Sequence, residues 1–282
     1  MMKIFIPILM FSAVVVGHAA SFKDHLGLQM WSLRAQAKES TTGALDIASG
    51  YGVTEIEAAG TGELSAADYR KELSARKLIA VGMHASYDVL LKDSAPVIAN
   101  AKALGAKFII VPWLPHDNKI GLTEDIARAA AVNFNKWGRE CRAAGLQFGY
   151  HPHGYEFVTG ADGKTLFDLI VRETNPKLVI FEMDVFWAFH AGQDPVKLLK
   201  KYPDRWRLMH VKDIRKGAVT GLSTGSAPPT DNVAVGDGQI DWPAVLRTAE
   251  KIGVQHYFIE DETVLPLVEI PKSLRYLRSL KL

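Results

Sequence analysis

Histidine and carboxylate side chains stand at the ends of several short apolar runs in this chain. In the run 207–211, for example, His210 is followed by Lys212 and Asp213. A lone histidine there is typical of a strand that meets solvent, so the interpretation depends on what ends the other runs. Those ends collect Gln29, Trp31, Arg34, Glu57, His84, Trp113, His116, His151, His153, Glu156, Glu182, Asp184, Trp187, Glu260, Asp261 and Glu262.

Imidazoles and carboxylates together form the ligand set of a divalent transition metal. Oxygen-rich ligand sets favour Mn, Mg or Co, whereas additional imidazoles favour Zn. Tryptophans near such a centre supply flat apolar walls, as sugar-binding clefts do. The alternative interpretation is a set of structural ion pairs around the mouth of the fold. Because so many runs end in the same residue types, we expect a metal site.

The elements that must position these residues alternate between apolar runs and helical patterns. Near-continuous apolar strands separated by amphipathic helices are typical of a parallel sheet covered on both faces. Eight units in about 260 residues predict a closed (β/α)8 TIM barrel, whose active site lies at the carboxyl ends of the strands. A doubly wound open sheet is the alternative, but no GxGxxG loop follows the first strand. The predicted strands are 26–31, 53–59, 78–85, 107–113, 146–152, 178–184, 206–213 and 256–262.

Helix start signals support this division of the chain. Thr123 is a plausible N-cap, and Asp194 and Asp241 are N-caps of two later helices, with Pro195 at a first helical position. One irregular insert, 215–232, follows the seventh strand and is rich in Gly, Ser, Thr and Pro. We predict that this insert is a loop.

Composition excludes several classes of function. The 282 residues carry a net charge of +2, which argues against nucleic acid or an anionic membrane surface as a partner. With a single cysteine, neither an intramolecular disulfide nor a cysteine-based zinc site is expected. Residues 1–20 combine a basic start, an apolar run and a small-x-small ending, which predicts a secretory signal peptide, export to the periplasm and no stable membrane insertion. Residues 21–282 then form the barrel domain, and a homo-oligomer is compatible with the sequence.

The motifs together resemble those of the xylose-isomerase-like TIM barrels, often called sugar phosphate isomerases/epimerases. Each piece is weak alone, but the combination is specific and spans nearly the whole chain after residue 20. The matching pieces are LGLQMWSLR at the first strand, YHPHGYEF at the fifth, MDVFWAFHAGQDPVKLLKKY at the sixth, LMHVKD at the seventh, and VGDGQIDWPAVL with FIEDE at the eighth.

The resemblance implies one divalent metal (Mn, Co, Mg or Zn) held by four side chains, usually Glu, Asp, His and Glu from the fifth to eighth strands. Asp184, His210 and Glu260 match the last three. At the fifth strand, many members read Glu-Asn-His where this chain reads His-Pro-His. His151 thus takes the place of the glutamate, and we expect it to be the fourth ligand, with Glu156 as the alternative.

The resemblance also implies proton removal next to a carbonyl. The predicted export and the lack of a phosphate cradle among the strand-end residues indicate an unphosphorylated sugar or sugar derivative as the substrate. We expect Glu260 to be both ligand and base, with His151 or His153 as the partner acid. A sugar isomerase or epimerase is the first hypothesis. The loss of a symmetric carboxylate pair leaves open a lyase that cleaves 3-keto-glycosides by β-elimination, and a third hypothesis is a non-catalytic sugar-binding barrel. The predicted substrate-binding residues are Trp31, Arg34, His84, Trp113, Trp187 and Lys212.

Overall fold

Eight parallel strands close into a barrel, so the predicted TIM barrel is confirmed. The structure is a computed structural model that describes residues 21–117 and 119–282; the predicted signal peptide, 1–20, lies outside them. Each predicted strand is present, although most are shorter than the apolar runs. The barrel strands are β1 (Leu26–Gln29), β2 (Glu55–Ala58), β3 (Ile79–His84), β4 (Phe108–Val111), β5 (Gln147–Tyr150), β6 (Val179–Asp184), β7 (Trp206–Val211) and β10 (His256–Ile259). Their order around the barrel is β1-β10-β7-β6-β5-β4-β3-β2.

The helices that cover the barrel begin where the sequence predicts. Thr123 accepts a hydrogen bond from the Ile126 amide, and Asp194 and Asp241 accept equivalent bonds three residues ahead, which satisfies free amides of the first turn. The helices are α1 (Arg34–Glu39), α2 (Thr41–Gly50), α3 (Ala66–Ala75), α4 (Tyr87–Lys92), α5 (Ser94–Leu104), α6 (Glu124–Ala143), α7 (Leu166–Glu173), α8 (Val185–His190), α9 (Pro195–Lys201), α10 (Trp242–Ile252) and α11 (Pro266–Ser279).

The insert after the seventh barrel strand is a loop closed at its base by two short strands. β8 (Asp213–Ile214) pairs in antiparallel fashion with β9 (Asn232–Val233). Between them the chain is irregular apart from one short 3-10 turn, Pro229–Asp231. The loop reaches the barrel mouth, where Gly225 packs against Trp113 and Tyr155.

The barrel interior is layered because alternate residues of each strand point inward. A central apolar layer, which we call the plug, consists of Val81, Phe108, Ile110, Ile180, Leu208 and Phe258, all buried. Glycine makes room for it: a Cβ at Gly149 would lie 2.5 Å from Ile110 and 2.7 Å from Ile180. Two residues further along β6, β7 and β10 stand Glu182, His210 and Glu260, so the polar residues form the next layer toward the mouth.

Among the helices that the structure describes, none is both long enough and apolar enough to cross a membrane.

Candidate metal centre

His210 lies at the centre of a buried polar layer above the plug. Its Nε2 is 2.7 Å from a carboxylate oxygen of Glu57 and 3.3 Å from one of Glu182. Its Nδ1 is 3.3 Å from Glu260 and 3.8 Å from Asp184. One imidazole from β7 therefore touches carboxylates from three other strand ends, which answers why an apolar strand carries a histidine near its end.

Two further histidines complete the layer. His84 Nε2 lies 3.0 Å from Glu57 and 3.5 Å from Glu182. His151 Nδ1 is 3.0 Å from Glu182, and its Nε2 is 3.7 Å from Asp184. Gln29 donates to Glu57 over 2.5 Å, so β1 also contributes to the layer.

The ligand-type atoms fall into two overlapping groups that share His210. One contains Asp184, His210 and Glu260, the three residues predicted to converge, and the structure brings them together. The other contains Glu182 with His84, His151 and His210. Within each group the atoms lie within 4.8 Å of one another, which is the spacing that a single cation can bridge.

The carboxyl groups of this layer have pKa values that are pushed apart. Burial raises the pKa of Glu182 to about 7, and the charge of Glu57 adds to that effect. Burial likewise raises the pKa of Asp184 to about 6. In Glu57 the opposing attraction of His84 and His210 outweighs burial and lowers the pKa to about 2. Lys212 and His210 together overcome burial at Glu260 and hold its pKa well below the usual range.

The histidines around the cleft likewise fall into two sets, one with lowered pKa values and one with raised pKa values. Burial and the charge of His210 lower the pKa of His151 well below its usual value, and burial lowers that of His153 to about 3. Carboxylates overcome burial at His84, whose pKa rises to about 9, and at His210, whose pKa lies well above its usual value. In metal-free protein, neutral imidazoles therefore lie on the β5 side of the layer, and charged ones beside Glu57.

The residues of this layer fit a divalent cation. Glu57 Oε1, Glu182 Oε1 and Asp184 Oδ2 are buried and have no hydrogen-bond partner among the described residues. Buried polar atoms normally have partners, so three such oxygens in one layer need an explanation. A cation supplies a partner to each carboxylate that coordinates it, and carboxylate oxygens with imidazole nitrogens are the ligand types of Zn, Mn and Co sites.

The two candidates for a fifth-strand ligand occupy different places. His151 belongs to the polar layer, whereas Glu156 lies in the short 3-10 turn Tyr155–Phe157 and is buried outside both groups. Glu156 accepts hydrogen bonds from the Tyr150 hydroxyl and, over 3.2 Å, from the His153 amide. In this conformation His151 is the better placed of the two, and the identity of the ligand stays a prediction.

A cleft of about 530 Å³ opens above the layer, within the range of small-molecule sites. Trp31, Trp113 and Trp187 line it, as do His84, His151, His153 and Glu260. The predicted tryptophans thus border the cleft, and their contact with a substrate stays a prediction. Gly225 brings the 215–232 loop to the same cleft.

Two predicted substrate-binding residues lie elsewhere. Lys212 is buried beneath the cleft, where its Nζ is 3.3 Å from Glu260, pairs with Glu262 and lies 5.1 Å from the centre of the Trp187 ring. Arg34 stacks on Trp31 at 5.3 Å and lines a neighbouring depression instead of the cleft. Direct substrate contact by either residue stays a prediction.

Sequence reasoning named Glu57, Glu182 and Gln29 as strand ends but gave them no role. The alternation of inward-facing residues was the signal that could have found them, because Glu182 lies two residues before Asp184 on the same face of β6. Glu57 faces inward beside Gly82, where a Cβ would lie 2.9 Å from its carboxylate.

The geometry agrees with a comparison against known families. The sequence profile described as xylose isomerase-like TIM barrel matches residues 45–280. The chain belongs to this family. Membership confirms the resemblance drawn from the strand-end motifs and identifies the fold as that of sugar isomerases, epimerases and related dehydratases.

Proteins named inosose dehydratase are similar to part of this chain. An inosose dehydratase of Clostridium perfringens is 27% identical over 187 residues, which cover 60% of this chain and 62% of that protein. An inosose dehydratase of Mesomycoplasma hyopneumoniae is 28% identical over 201 residues, covering 64% and 66%. The aligned part of the chain thus spans less than two thirds of either relative.

Solved structures of xylose isomerase-like barrels share the fold over nearly all of the chain. A sugar phosphate isomerase/epimerase from Parabacteroides distasonis superposes with a TM-score of 0.76 at 24% identity, covering 96% of this chain and 98% of that one. The IOLI protein, solved with a zinc atom, gives a TM-score of 0.68 at 13% identity, covering 90% and 95%.

Proposed function

We propose that this protein removes a proton next to the carbonyl of an unphosphorylated keto sugar or keto cyclitol and then expels the substituent at the β carbon. The observation that carries this proposal is the asymmetry of the acid–base groups around the cleft. Two imidazoles, His151 and His153, follow β5, whereas a carboxylate, Glu260, follows β10, and all three line the cleft. Epimerisation by two equivalent carboxylates needs the same group on both faces of the substrate, whereas elimination does not.

We assign a divalent cation to Asp184, His210 and Glu260, which form one ligand group, with His151, whose Nε2 is 3.7 Å from Asp184, as the fourth ligand, in keeping with the zinc present in the IOLI protein. When bound, such a cation polarises the carbonyl and acidifies the adjacent C–H bond. The remaining carboxylates Glu57 and Glu182 hold His210 and His84 in place through direct contacts. These contacts orient the ligands in the manner of outer-shell partners in other metal sites.

His153 is the side chain best placed to move the proton. It lines the cleft, burial keeps it neutral, and its Nδ1 is buried, so Nε2 is the ring nitrogen available to a substrate. In the proposed step Nε2 of His153, and not Glu260 as the sequence predicts, takes the proton, the C–H electrons form a C=C bond, and the β C–O bond breaks. The imidazolium then returns the proton to the departing oxygen. Glu260, which also lines the cleft, accepts a hydrogen bond from a substrate hydroxyl.

The chemistry of the cleft supports an uncharged substrate. Its described lining residues include no lysine or arginine, but they do include Asp88, Glu260 and Glu262. Lys212 is occupied by two carboxylates beneath the cleft. A phosphate group would meet repulsion here, whereas Trp31 and Trp113 offer exposed ring faces for the apolar face of a sugar.

Isomerisation or epimerisation is the second candidate, and one observation favours it. Glu156 follows the fifth strand, and burial raises the pKa of its carboxyl to about 7, which suits a proton carrier. A rotation of this loop toward the cleft would restore a second carboxyl group opposite Glu260.

We also propose that the protein is exported. This proposal rests on the basic start, apolar run and small-x-small ending of residues 1–20.

A substrate panel followed by NMR in D₂O tests the proposal. The panel contains an inosose, a 3-keto-glucoside and a ketohexose, each with metal-loaded protein. We expect an unsaturated product with release of water or the aglycone from the first or second compound. Exchange with inverted configuration and no elimination would support the epimerase instead, and binding without exchange would support a sugar-binding barrel.

A further inference from the structure

A second cluster of ligand-type side chains lies at the opposite end of the barrel. His25 immediately precedes β1, Glu55 begins β2 and His256 begins β10, and these three strands are neighbours in the barrel. Glu55 accepts from both imidazoles: Nδ1 of His25 lies 2.9 Å from one carboxylate oxygen, and Nδ1 of His256 lies 2.7 Å from the other. The three ligand-type atoms lie within 4.8 Å of one another.

The plug separates this cluster from the cleft. Along β10 the inward positions are His256, then Phe258 of the plug, then Glu260 of the polar layer. The ring centres of Phe258 and His256 are 6.4 Å apart, so the apolar layer directly covers the cluster from above. The base of the barrel therefore carries a polar group of its own, and the plug lies between this group and the candidate metal centre.

The composition of this cluster is that of a metal site. Within the described ranges, no lysine or arginine lies within 4 Å of the buried Glu55 carboxylate, so the two imidazoles are its only ionisable partners at that distance. Two imidazoles and one carboxylate are a recurrent ligand set of zinc and of other borderline divalent ions. In a tetrahedral site with metal–ligand bonds of about 2.0–2.2 Å, the ligand atoms lie about 3.3–3.5 Å from one another. The imidazole nitrogens are now 2.9 and 2.7 Å from the Glu55 oxygens, so a small outward shift of these side chains makes room for an ion.

We propose that His25, Glu55 and His256 bind a second divalent cation, of the zinc class, that ties the first barrel strand to the last. The ion bridges β10, β1 and β2 at the point where the barrel closes. The His25 side chain is 38% exposed, which gives the ion a route from solvent and leaves a position for water. A site so far from the cleft serves stability and not turnover, as the amino end of such barrels generally does.

Metal stoichiometry in four proteins tests this site separately from the proposed function. Wild type, His25→Ala, His210→Ala and the double variant are loaded with Zn²⁺, dialysed and analysed for bound zinc. We expect two equivalents in wild type, one in each single variant and none in the double variant. One equivalent in wild type that disappears in His210→Ala would overturn the second site. One equivalent that survives in His210→Ala but is lost in the double variant would support it while removing the site at the cleft.

A second measurement covers the case in which a variant is poorly folded. Glu55→Gln keeps the volume of the side chain but removes its charge, and Glu72→Gln, on the surface of α3, is the matched control. In the His210→Ala background, added Co²⁺ should give visible d–d absorption and raise the melting temperature. We expect both effects to persist with Glu72→Gln and to vanish with Glu55→Gln, and their persistence with Glu55→Gln would refute the assignment.

Discussion

The plug and the polar layer above it are built by the same strands, two residues apart, yet they contribute to folding with opposite signs. Leu208 on β7 is buried among apolar side chains, whereas His210 on the same face is surrounded by four carboxylates. The plug supplies apolar burial, and the layer holds charged groups whose desolvation opposes folding. The apolar layer therefore offsets the unfavourable burial of charged groups at the barrel mouth. Groups that oppose folding but are kept in place are typical of a functional site.

The largest expected effect is the loss of metal and activity when His210 of the polar layer is replaced. His210→Ala takes away the one side chain shared by both ligand groups, so we expect one equivalent of bound metal to be lost. Activity on the substrate found with the NMR panel should fall by at least about 10²–10⁴-fold. Elemental analysis and initial rates measure the two effects. Unchanged metal content would remove His210 from the ligand set.

Truncation of a side chain of the plug should lower the free energy of unfolding and leave the activity of the folded protein unchanged. Phe258→Ala removes a fully buried ring, and we expect a loss of about 3–5 kcal/mol in the free energy of unfolding. Denaturant titration measures this loss, and activity per folded molecule should stay close to wild type. Phe258→Leu is the matched control and should lose less. A folded Phe258→Ala protein without activity would show that the two layers are not separable.

The pH dependence of stability should reveal Glu156 in metal-free protein. Because burial raises the pKa of the folded carboxyl from 4.5 to about 7, the native state holds this proton where the unfolded chain releases it. Its contribution to stability is complete below pH 4.5 and is lost as the pH rises through 7. Glu156→Gln should therefore gain up to about 3 kcal/mol relative to wild type between pH 4.5 and 8.

Urea titrations of both proteins at several pH values, with EDTA present, measure the Glu156 effect. Glu140→Gln provides a comparison, since Glu140 lies on the outer helix α6 and makes only a partly buried contact with Ser94. A constant difference between Glu156→Gln and wild type across this range would mean that Glu156 is not a buried acid in solution.

The smallest expected effect concerns the loop over the cleft. Gly225 has φ +64°, and a Cβ there would lie 2.6 Å from Tyr155 and 3.2 Å from Trp113. Gly225→Ala should push the loop off Trp113 and raise KM about fivefold, a change of about 1 kcal/mol, with little change in kcat. Gly217 lies in the same loop with φ +77° and open space around it, so Gly217→Ala is the matched control. Equal KM values for the two variants would show that the contact of the loop with Trp113 does not contribute to substrate binding.

The sequence predicted those features that depend on local signals. The N-caps Thr123, Asp194 and Asp241 are correct because a cap needs only a side chain and the amides that follow it. The convergence of Asp184, His210 and Glu260 follows because parallel strands end at the same edge.

Features that depend on relative position around the barrel were not predictable in this way. The pairing of Glu57 with His210 joins residues 153 positions apart, on strands that are not neighbours in the barrel. Likewise, Arg34 was expected near the cleft, but its direction depends on how the chain turns into α1 after Trp31. Distances across a closed barrel come from its curvature, which no single strand encodes.

Solvent exchange at the reacting carbon tests the central claim most directly. Metal-loaded wild type and His210→Ala are each incubated in D₂O with an inosose or a 3-keto-glucoside, and NMR follows deuterium at the carbon next to the carbonyl. The account predicts incorporation or elimination with wild type at a rate well above that of buffer, and only the buffer rate with His210→Ala. Equal rates in the two proteins, or no exchange and no elimination with any compound of the panel, would contradict it.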